Sequence, residues 1–358
     1  MRESRLFTPF SIRGLELRNR IARSATAESL ADESGAPTDR LAPLYRQLAE
    51  GGTGLIVTGH LFVAAGGKAH AEMTGIHEDR LVDPLAALAC AAHQGGAAIA
   101  AQLNHGGRAC DPALVAEPLA PSAVPASGKA PMPREMTMED ITEAVSAFAA
   151  AAARAKAAGF DAVQLHGAHG YLVSQFLSPL SNRRKDRYGG SLENRARFLQ
   201  ETARAVRRAV GDDFPVLIKL GIADNLDGGL TMEEGAEVAS WLRGFGVDAV
   251  ETSTGAKGAI ATKVTAPDRE AYLLPLARAV RARTDLPILL VGGLRSRAVM
   301  ERVFDEGIDM VSLSRPLIRE PDLPRELASG AVDAAACVSC NRCWPEKEGD
   351  GIACKSRR

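Results

Sequence analysis

The sequence predicts an α/β protein of the (β/α)8 TIM-barrel class, with an N-terminal β-hairpin and a Cys-rich C-terminal tail. Short apolar segments of strand length alternate with longer segments of helical length, which is typical of parallel βα units. Several predicted strands begin with a shared Gly-x-Asp-x-Val or closely similar phrase, at 159–163, 246–250 and 307–311. Eight such units fit a closed barrel within 358 residues. A doubly wound open sheet is disfavoured because no Gly-x-Gly-x-x-Gly turn follows the first strand.

The elements are predicted from apolar periodicity and from capping and turn residues. A hairpin over residues 6–17 leads into a first strand near 19–21, and Thr38 and Asp39 are candidate caps of the first helix. The later predicted strands are 55–58, 97–103, 162–165, 216–220, 249–253, 288–291 and 310–313. The predicted helices are 38–50, 83–94, 141–158, 192–210, 231–245, 269–284 and 297–306.

Two segments fall outside this alternation. The Pro- and Ala-rich stretch 111–133 has no periodicity and is predicted to be an excursion or lid. Together with residues around 257–269, it is expected to form the outer wall of a pocket. The domain division expected is a barrel over 1–330 and a Cys-rich extension over 331–358.

Composition excludes several classes of function. The formal net charge of −1 provides no concentrated basic field for nucleic acid or a membrane surface. No apolar run reaches the length of a membrane span, and the N-terminus lacks a signal-peptide core. We therefore expect a cytoplasmic protein without disulfides, and a homo-oligomer remains open.

The segment 162–171 carries most of the chemistry. A short buried strand is followed by His166, His169 and Tyr171, and the intervening glycines let the backbone bend closely. Strands of parallel β/α proteins present their catalytic groups at this end. The histidines suit either a metal or hydrogen bonding to a substrate carbonyl, with His105 as a third candidate ligand. Tyr171 suits proton donation, although a lone tyrosine is more often a packing residue.

Other strand ends predict a binding site for a phosphorylated cofactor. Gly292 and Gly293 allow backbone amides to approach an anion, while Ser314 and Arg315 stand at the start of a final helix. The alternative is an ordinary glycine turn. Gln102 could pair with the edge of a heterocycle, and Lys219 could place positive charge against an electron-rich ring.

Eight motifs together give the chain a clear resemblance to the Old Yellow Enzyme family of flavin-dependent ene-reductases. They span residues of about 5 to 325, nearly the whole chain, and lie at 6–9, 17–21, 102–108, 166–172, 176–182, 186–190, 193–195 and 314–317. The resemblance implies a TIM barrel that holds FMN non-covalently and uses NAD(P)H as co-substrate.

The resemblance also implies roles for individual residues. His166 and His169 would bind the activating group of a small-molecule alkene, and Tyr171 would protonate its α-carbon after hydride delivery to the β-carbon. Ala27 departs from the family pattern because it cannot donate a hydrogen bond to the flavin. The residues implied to hold FMN are Ser24, Ala25, Thr26, Gly59, Gln102, Lys219, Gly292, Gly293, Ser314 and Arg315.

Four of the six cysteines lie in the tail, at Cys337, Cys340, Cys343 and Cys354. Their spacing resembles the branch of the family that contains 2,4-dienoyl-CoA reductase and trimethylamine dehydrogenase, in which a [4Fe–4S] cluster follows the barrel. Zinc and free thiols are the alternatives. Because the sequence ends at Arg358 without a nucleotide-binding region, direct reduction by NAD(P)H or an external partner is expected.

Four functions therefore stand at this stage. An FMN-dependent NAD(P)H:alkene oxidoreductase is favoured over dienoyl-CoA or amine-dehydrogenase chemistry, because residues 252–254 offer no additional histidine. A metal-dependent hydrolase using His105, His166 and His169, and a non-catalytic electron-relay subunit, belong to other classes.

Overall fold

The computed structural model describes residues 4–256, 263–347 and 349–356. Its strands in chain order are β1 Phe10–Ile12, β2 Leu15–Leu17, β3 Ile21–Arg23, β4 Leu55–Phe62, β5 Ala98–Asn104, β6 Leu119–Ala120, β7 Arg134–Glu135, β8 Ala162–Gly167, β9 Val216–Ala223, β10 Ala249–Thr254, β11 Ile288–Val291 and β12 Met310–Leu313. Its α-helices are α1 Leu41–Glu50, α2 Val82–Gln94, α3 Met138–Ala157, α4 Leu172–Leu177, α5 Leu192–Val210, α6 Met232–Phe245, α7 Leu274–Arg281, α8 Arg297–Val303, α9 Arg315–Arg319 and α10 Leu323–Ser329.

Eight parallel strands form a closed barrel, which confirms the predicted fold class. Their order around the barrel is β3, β4, β5, β8, β9, β10, β11 and β12, and β12 pairs with β3 to close it. Because all eight strands are parallel, their carboxyl ends lie at one rim.

The predicted N-terminal hairpin is also present, and it closes the opposite rim. Strands β1 and β2 pair antiparallel, and their Ile12 and Leu17 pack into the cluster that fills the barrel interior. The strands contribute mainly small or aliphatic residues to that cluster, including Ala22, Ala100 and Ala162. The amino-terminal end of the barrel is therefore filled, and the carboxyl end remains available for a ligand.

Local capping signals fixed several helices where they were predicted. Thr137 and Asp140 form a reciprocal capping box at the start of α3, and Thr231 and Glu234 form another at α6. Such boxes satisfy backbone N–H groups that the first helical turn leaves without partners.

Two helix starts were predicted incorrectly. The Thr38 hydroxyl donates to the Leu30 carbonyl at 2.7 Å instead of capping, and α1 begins only at Leu41. The helix predicted over 269–284 is shortened to α7, with a proline in its first turn. Proline is tolerated there because the first N–H groups of a helix need no intrahelical acceptor. Tyr272 consequently lies in the loop before the helix, at the carboxyl rim.

Candidate functional site

A cavity of about 1010 Å³ lies at the carboxyl rim of the barrel. Every barrel strand or the loop that follows it contributes to its wall. Most of the residues selected from the sequence meet here, namely Ser24, Ala25, Thr26, Gln102, His166, His169, Tyr171, Lys219, Gly292, Gly293, Ser314 and Arg315.

The two predicted histidines and the tyrosine form one cluster in this wall. The His166 ring centroid lies 5.0 Å from that of His169 and 4.9 Å from that of Tyr171. The chain turns sharply after β8, where His169 has a φ of 60°. Because of this turn, the side chains of His166, His169 and Tyr171 all face the cavity. Tyr171 is the N-cap residue of α4, a helix that the sequence did not predict.

Hydrogen bonds indicate which ring nitrogen of each histidine can donate. The backbone N–H of Ala168 donates to His166 Nδ1 at 3.3 Å, which leaves the proton on Nε2. His169 Nε2 lies 2.8 Å from the Ser253 hydroxyl. If that hydroxyl donates, His169 carries its proton on Nδ1. Ser253 was not predicted as a site residue, although it stands at the end of β10.

Desolvation shifts the pKa of all three groups, although His166 is buried, Tyr171 is half-buried and His169 is exposed. Desolvation lowers the pKa of His169 to about 3 and, together with neighbouring positive groups, lowers the pKa of His166 well below its usual range. Desolvation raises the pKa of Tyr171 to about 12. Both imidazoles are therefore neutral hydrogen-bond donors at physiological pH, and the phenol retains its proton.

We expect this protonation pattern to persist between about pH 5 and pH 10, since the shifted pKa values lie outside that range. The imidazoles would gain protons only below the window, and Tyr171 would lose its proton only above it. Nitrogen-15 NMR of labelled histidine should show neutral rings for His166 and His169 at pH 6. The urea-unfolded chain is the control, with ordinary histidine titration near pH 6.5. An imidazolium signal from either ring at pH 6 would contradict the assignment.

His60 and His70 extend the cluster and were assigned no role from the sequence. Strand β4 continues to Phe62, four residues past its predicted end, and carries His60 into the cavity wall. His60 Nδ1 lies 2.8 Å from Asn104 Nδ2, and the Nε2 atoms of the two histidines are 3.3 Å apart. Burial lowers the pKa of His70 to about 4, so this pair is also neutral.

The glycines predicted to approach a phosphate lie at the far side of the same cavity. Gly292 and Gly293 have φ values of 126° and 74°, which residues other than glycine rarely adopt. A Cβ added at Gly292 would stand 2.9 Å from Leu273, so a larger residue would require movement. Nearby, the hydroxyls of Thr26 and Ser314 are hydrogen bonded at 2.9 Å.

Gln102 and Lys219 belong to a buried polar network under the cavity floor. Gln102 Nε2 donates to Gln164 Oε1 at 2.7 Å, and Gln164 Nε2 donates to Glu251 Oε2 at 3.0 Å. Lys219 Nζ lies 3.4 Å from the same carboxylate oxygen and donates to the Ser24 hydroxyl at 2.7 Å. Gln102 and Lys219 line the cavity, whereas the two residues behind them do not.

The predicted cofactor contact of Gly59 does not fit its position. Gly59 does not line the cavity, and its N–H donates to Glu28 Oε1 at 2.9 Å. Its carbonyl accepts from the Thr58 hydroxyl. Both backbone groups therefore have partners within the protein.

The outer wall of the cavity comes from the C-terminal tail, which corrects the expectation for 111–133. No residue of 111–133 lines the cavity, and that segment instead accepts hydrogen bonds from Arg108 and Arg184. The tail supplies Ser339, Asn341, Cys343, Trp344, Pro345, Glu346, Lys347 and Ile352. The residues 257–262, which were also expected in the wall, lie outside those described.

Hydrogen bonds at both ends hold the tail across the rim. Arg315 donates to the Ser339 carbonyl and to Asn341 Oδ1, so the guanidinium predicted to bind phosphate also fixes the tail. The Ile352 N–H donates to the Glu28 carbonyl at 2.9 Å on the opposite side. Trp344 lies between these anchors with 58% of its surface exposed.

The four tail cysteines are grouped. Burial, followed by the neighbouring Cys337, Cys354 and Cys340, raises the pKa of Cys343 to about 11. Cys343 lines the cavity and the other three do not. Among the residues described, however, no three His, Cys, Asp or Glu side chains are arranged to hold a metal ion.

The same finding bears on the hydrolase alternative. His105 is buried away from the cavity, where its Nδ1 accepts from the Gly107 N–H at 3.1 Å. Within the described ranges, His105, His166 and His169 therefore form no metal site. A metal-dependent hydrolase is not supported by this arrangement.

Comparison with known proteins decides the family. The model of the NADH:flavin oxidoreductase / NADH oxidase family matches residues 5–334. The chain belongs to this family. Members of this family are FMN-dependent oxidoreductases that use NAD(P)H, and the resemblance of this chain to Old Yellow Enzyme is confirmed.

Individual relatives differ in length. NADPH dehydrogenase of Geobacillus sp. (strain WCH70) is 38% identical over 96% of this chain and 99% of its own length. NADH oxidase of Thermoanaerobacter brockii is 37% identical over 94% of this chain, which spans only 52% of that protein. The structure of the Old Yellow Enzyme homologue of Zymomonas mobilis is 27% identical, with a TM-score of 0.82, over 94% of this chain and 96% of that one.

The residues present fit FMN, the cofactor of this family. The Ser312 hydroxyl is buried in the cavity wall, and no residue of the described structure accepts or donates to it. A buried hydroxyl without a partner is costly unless a ligand satisfies it. Gly292 and Gly293, which form the glycine cradle, line the same cavity. Among the helices described, none is both long and apolar enough to cross a membrane.

Proposed function

We propose that this member of the family is an NAD(P)H-dependent ene-reductase, which reduces a small alkene activated by a carbonyl or nitro group. One observation carries the proposal: the neutral pair His166 and His169 and the protonated Tyr171 share a cavity with the glycine cradle. Hydrogen-bond donors for an activating group, a proton donor and a cofactor site therefore face one space.

FMN, when bound, supplies a hydride from its N5 atom to the β-carbon of the alkene. We assign its phosphate to Gly292, Gly293, Ser314 and Arg315, which combine accessible backbone amides with a guanidinium. Lys219 and Gln102 would contact the pyrimidine edge of the ring, and the loop of Ser24, Ala25 and Thr26 would lie against it. This placement is supported by the position of all these residues in one cavity wall.

The histidines and Tyr171 would act on the alkene rather than on the flavin. His166 Nε2–H and His169 would donate to the oxygen of the activating group, on which negative charge develops as hydride arrives. Tyr171 would give its proton to the α-carbon. A phenol that retains its proton across the physiological range suits this general-acid role.

We further propose that Cys337, Cys340, Cys343 and Cys354 hold a [4Fe–4S] cluster, a cofactor that transfers single electrons. Their Cys-x2-Cys-x2-Cys spacing supports it. In that case, dienoyl-CoA or amine-dehydrogenase chemistry is the second candidate.

One set of anaerobic absorption and EPR spectra tests both cofactors. Purified protein should be yellow, should bleach with NADH or NADPH, and should regain colour with 2-cyclohexenone. Colourless protein that takes up no FMN, or reduced protein that the enone does not reoxidise, would contradict the ene-reductase proposal. A cluster should give an EPR signal after reduction with dithionite. Metal analysis should find about four irons per chain. Stoichiometric zinc, or neither metal, would contradict the cluster.

A further inference from the structure

We infer that Glu251 is a positioning residue that, from behind the cavity wall, sets both the polarity of Gln102 and the charge at Lys219. The inference rests on the proposed placement of the flavin over these two residues. Glu251 itself does not line the cavity and is fully buried. Its effect on the cofactor must therefore pass through side chains that do.

The strand register brings these residues together. Glu251 on β10 is the direct partner of Lys219 on β9, and Gln102 on β5 is the direct partner of Gln164 on β8. Adjacent strands on one face of the barrel wall thus present two amides, one carboxylate and one ammonium in succession. None of these four residues is more than 3% exposed.

The carboxylate determines the direction of the hydrogen bonds. An ionised carboxylate can only accept, so the group of Gln164 that faces Glu251 must be its Nε2 donor. Gln164 then presents Oε1 to Gln102, which must donate through Nε2. Gln102 is left with its own Oε1 as the acceptor available to the cavity. That orientation suits an N–H group on the edge of a heterocycle.

The same carboxylate compensates the charge of Lys219. The ammonium lies 3.4 Å from Glu251 Oε2, and it donates a hydrogen bond to the neutral Ser24 hydroxyl. A charge that is buried to this extent requires a counterion. Glu251 Oε1 has no hydrogen-bond partner among the described residues. The main role of this carboxylate is therefore to compensate the charge of Lys219, since its hydrogen bonding is incomplete.

The midpoint potential of bound FMN tests the inference, because a structural role alone would not move it. Glu251→Gln holoenzyme should differ from the wild type by at least about tenfold in the equilibrium constant of flavin reduction, or about 30 mV for a two-electron couple. In a Lys219→Met background the same substitution should change nothing. In that background no ammonium remains whose charge Glu251 could compensate.

Glu28→Gln is the matched control. Glu28 is also buried and forms an ion pair with Arg23 at 2.8 Å, but neither residue lines the cavity. We expect no shift of the potential in this variant. If Glu251→Gln does not fold, Glu251→Asp withdraws the carboxylate from Lys219 and takes its place in the same cycle.

The inference is overturned if Glu251→Gln leaves the potential unchanged, or if it shifts the potential equally with Lys219 and with Met at position 219. If the protein nevertheless binds FMN and reduces the enone, either result contradicts only the role of Glu251 and leaves the ene-reductase proposal intact. Loss of FMN binding in the wild type would instead contradict the proposed function. The two failures are therefore distinguishable.

Discussion

Replacing Tyr171 with phenylalanine is expected to slow alkene-dependent reoxidation by about 100-fold to 1,000-fold, while reduction of the flavin by NAD(P)H proceeds as in the wild type. The substitution removes only the phenol oxygen and keeps the ring that packs 4.9 Å from His166. Desolvation raises the pKa of Tyr171 to about 12, so the phenol of the wild type carries its proton throughout the physiological pH range. Anaerobic stopped-flow measurement of the two half-reactions separates these steps.

Tyr188→Phe is the matched control for this variant. Tyr188 is buried outside the cavity, and its hydroxyl donates to Glu201 at 2.7 Å. Its loss should affect stability but neither half-reaction. A quinone, which needs no protonation at carbon, should reoxidise Tyr171→Phe at the wild-type rate. Slowed flavin reduction together with normal reoxidation by the alkene would show that Tyr171 does not act as the proton donor.

The fold was predictable because its signals are local. The bounds of α5 match the prediction at both ends, since Ser191 caps its first turn and Gly211 ends it. The strands β11 and β12 were also placed correctly, because short buried apolar runs between turns leave little alternative. Parallel strands then bring their carboxyl ends to one rim without further information.

The network under the cavity could not be predicted, because it depends on contacts between residues far apart in the sequence. Gln164 and Glu251 are interior residues of short strands in which every residue is buried. Nothing in the sequence near either residue identifies its partner, and their pairing follows only from barrel closure and register. Lys219 was selected as a cofactor contact, but the carboxylate that compensates it was not.

The outer wall was misplaced for a similar reason. The segment 111–133 follows directly after a strand end and lacks periodicity, which made it the obvious lid. The tail is more than 200 residues away in sequence from the Glu28 loop that it contacts. Its path over the rim depends on anchors such as Arg315 and on Arg40, which donates to the Asp350 carbonyl. No local pattern encodes such anchors.

The second large effect is expected at His166 and His169. Substituting alanine at either position should lower kcat/KM for a cyclic enone by about 100-fold, because each change removes one donor from the oxygen on which charge develops. FMN binding and flavin reduction should be unaffected. His105→Ala is the control, since it removes an imidazole that is as buried as that of His166 but lies outside the cavity. Steady-state kinetics with the enone and with NADPH varied separately provide the measurement.

The double variant distinguishes two donors on one oxygen from two independent contacts. Rings whose centroids are 5.0 Å apart can reach a single acceptor atom, so the two losses should not multiply. Once one donor is absent, the substrate oxygen is no longer held where the other donor can reach it. The double variant should therefore lose much less than the product of the two single losses. Strictly multiplicative losses would indicate that the histidines contact different parts of the substrate, and the assignment of both to the activating group would then fail.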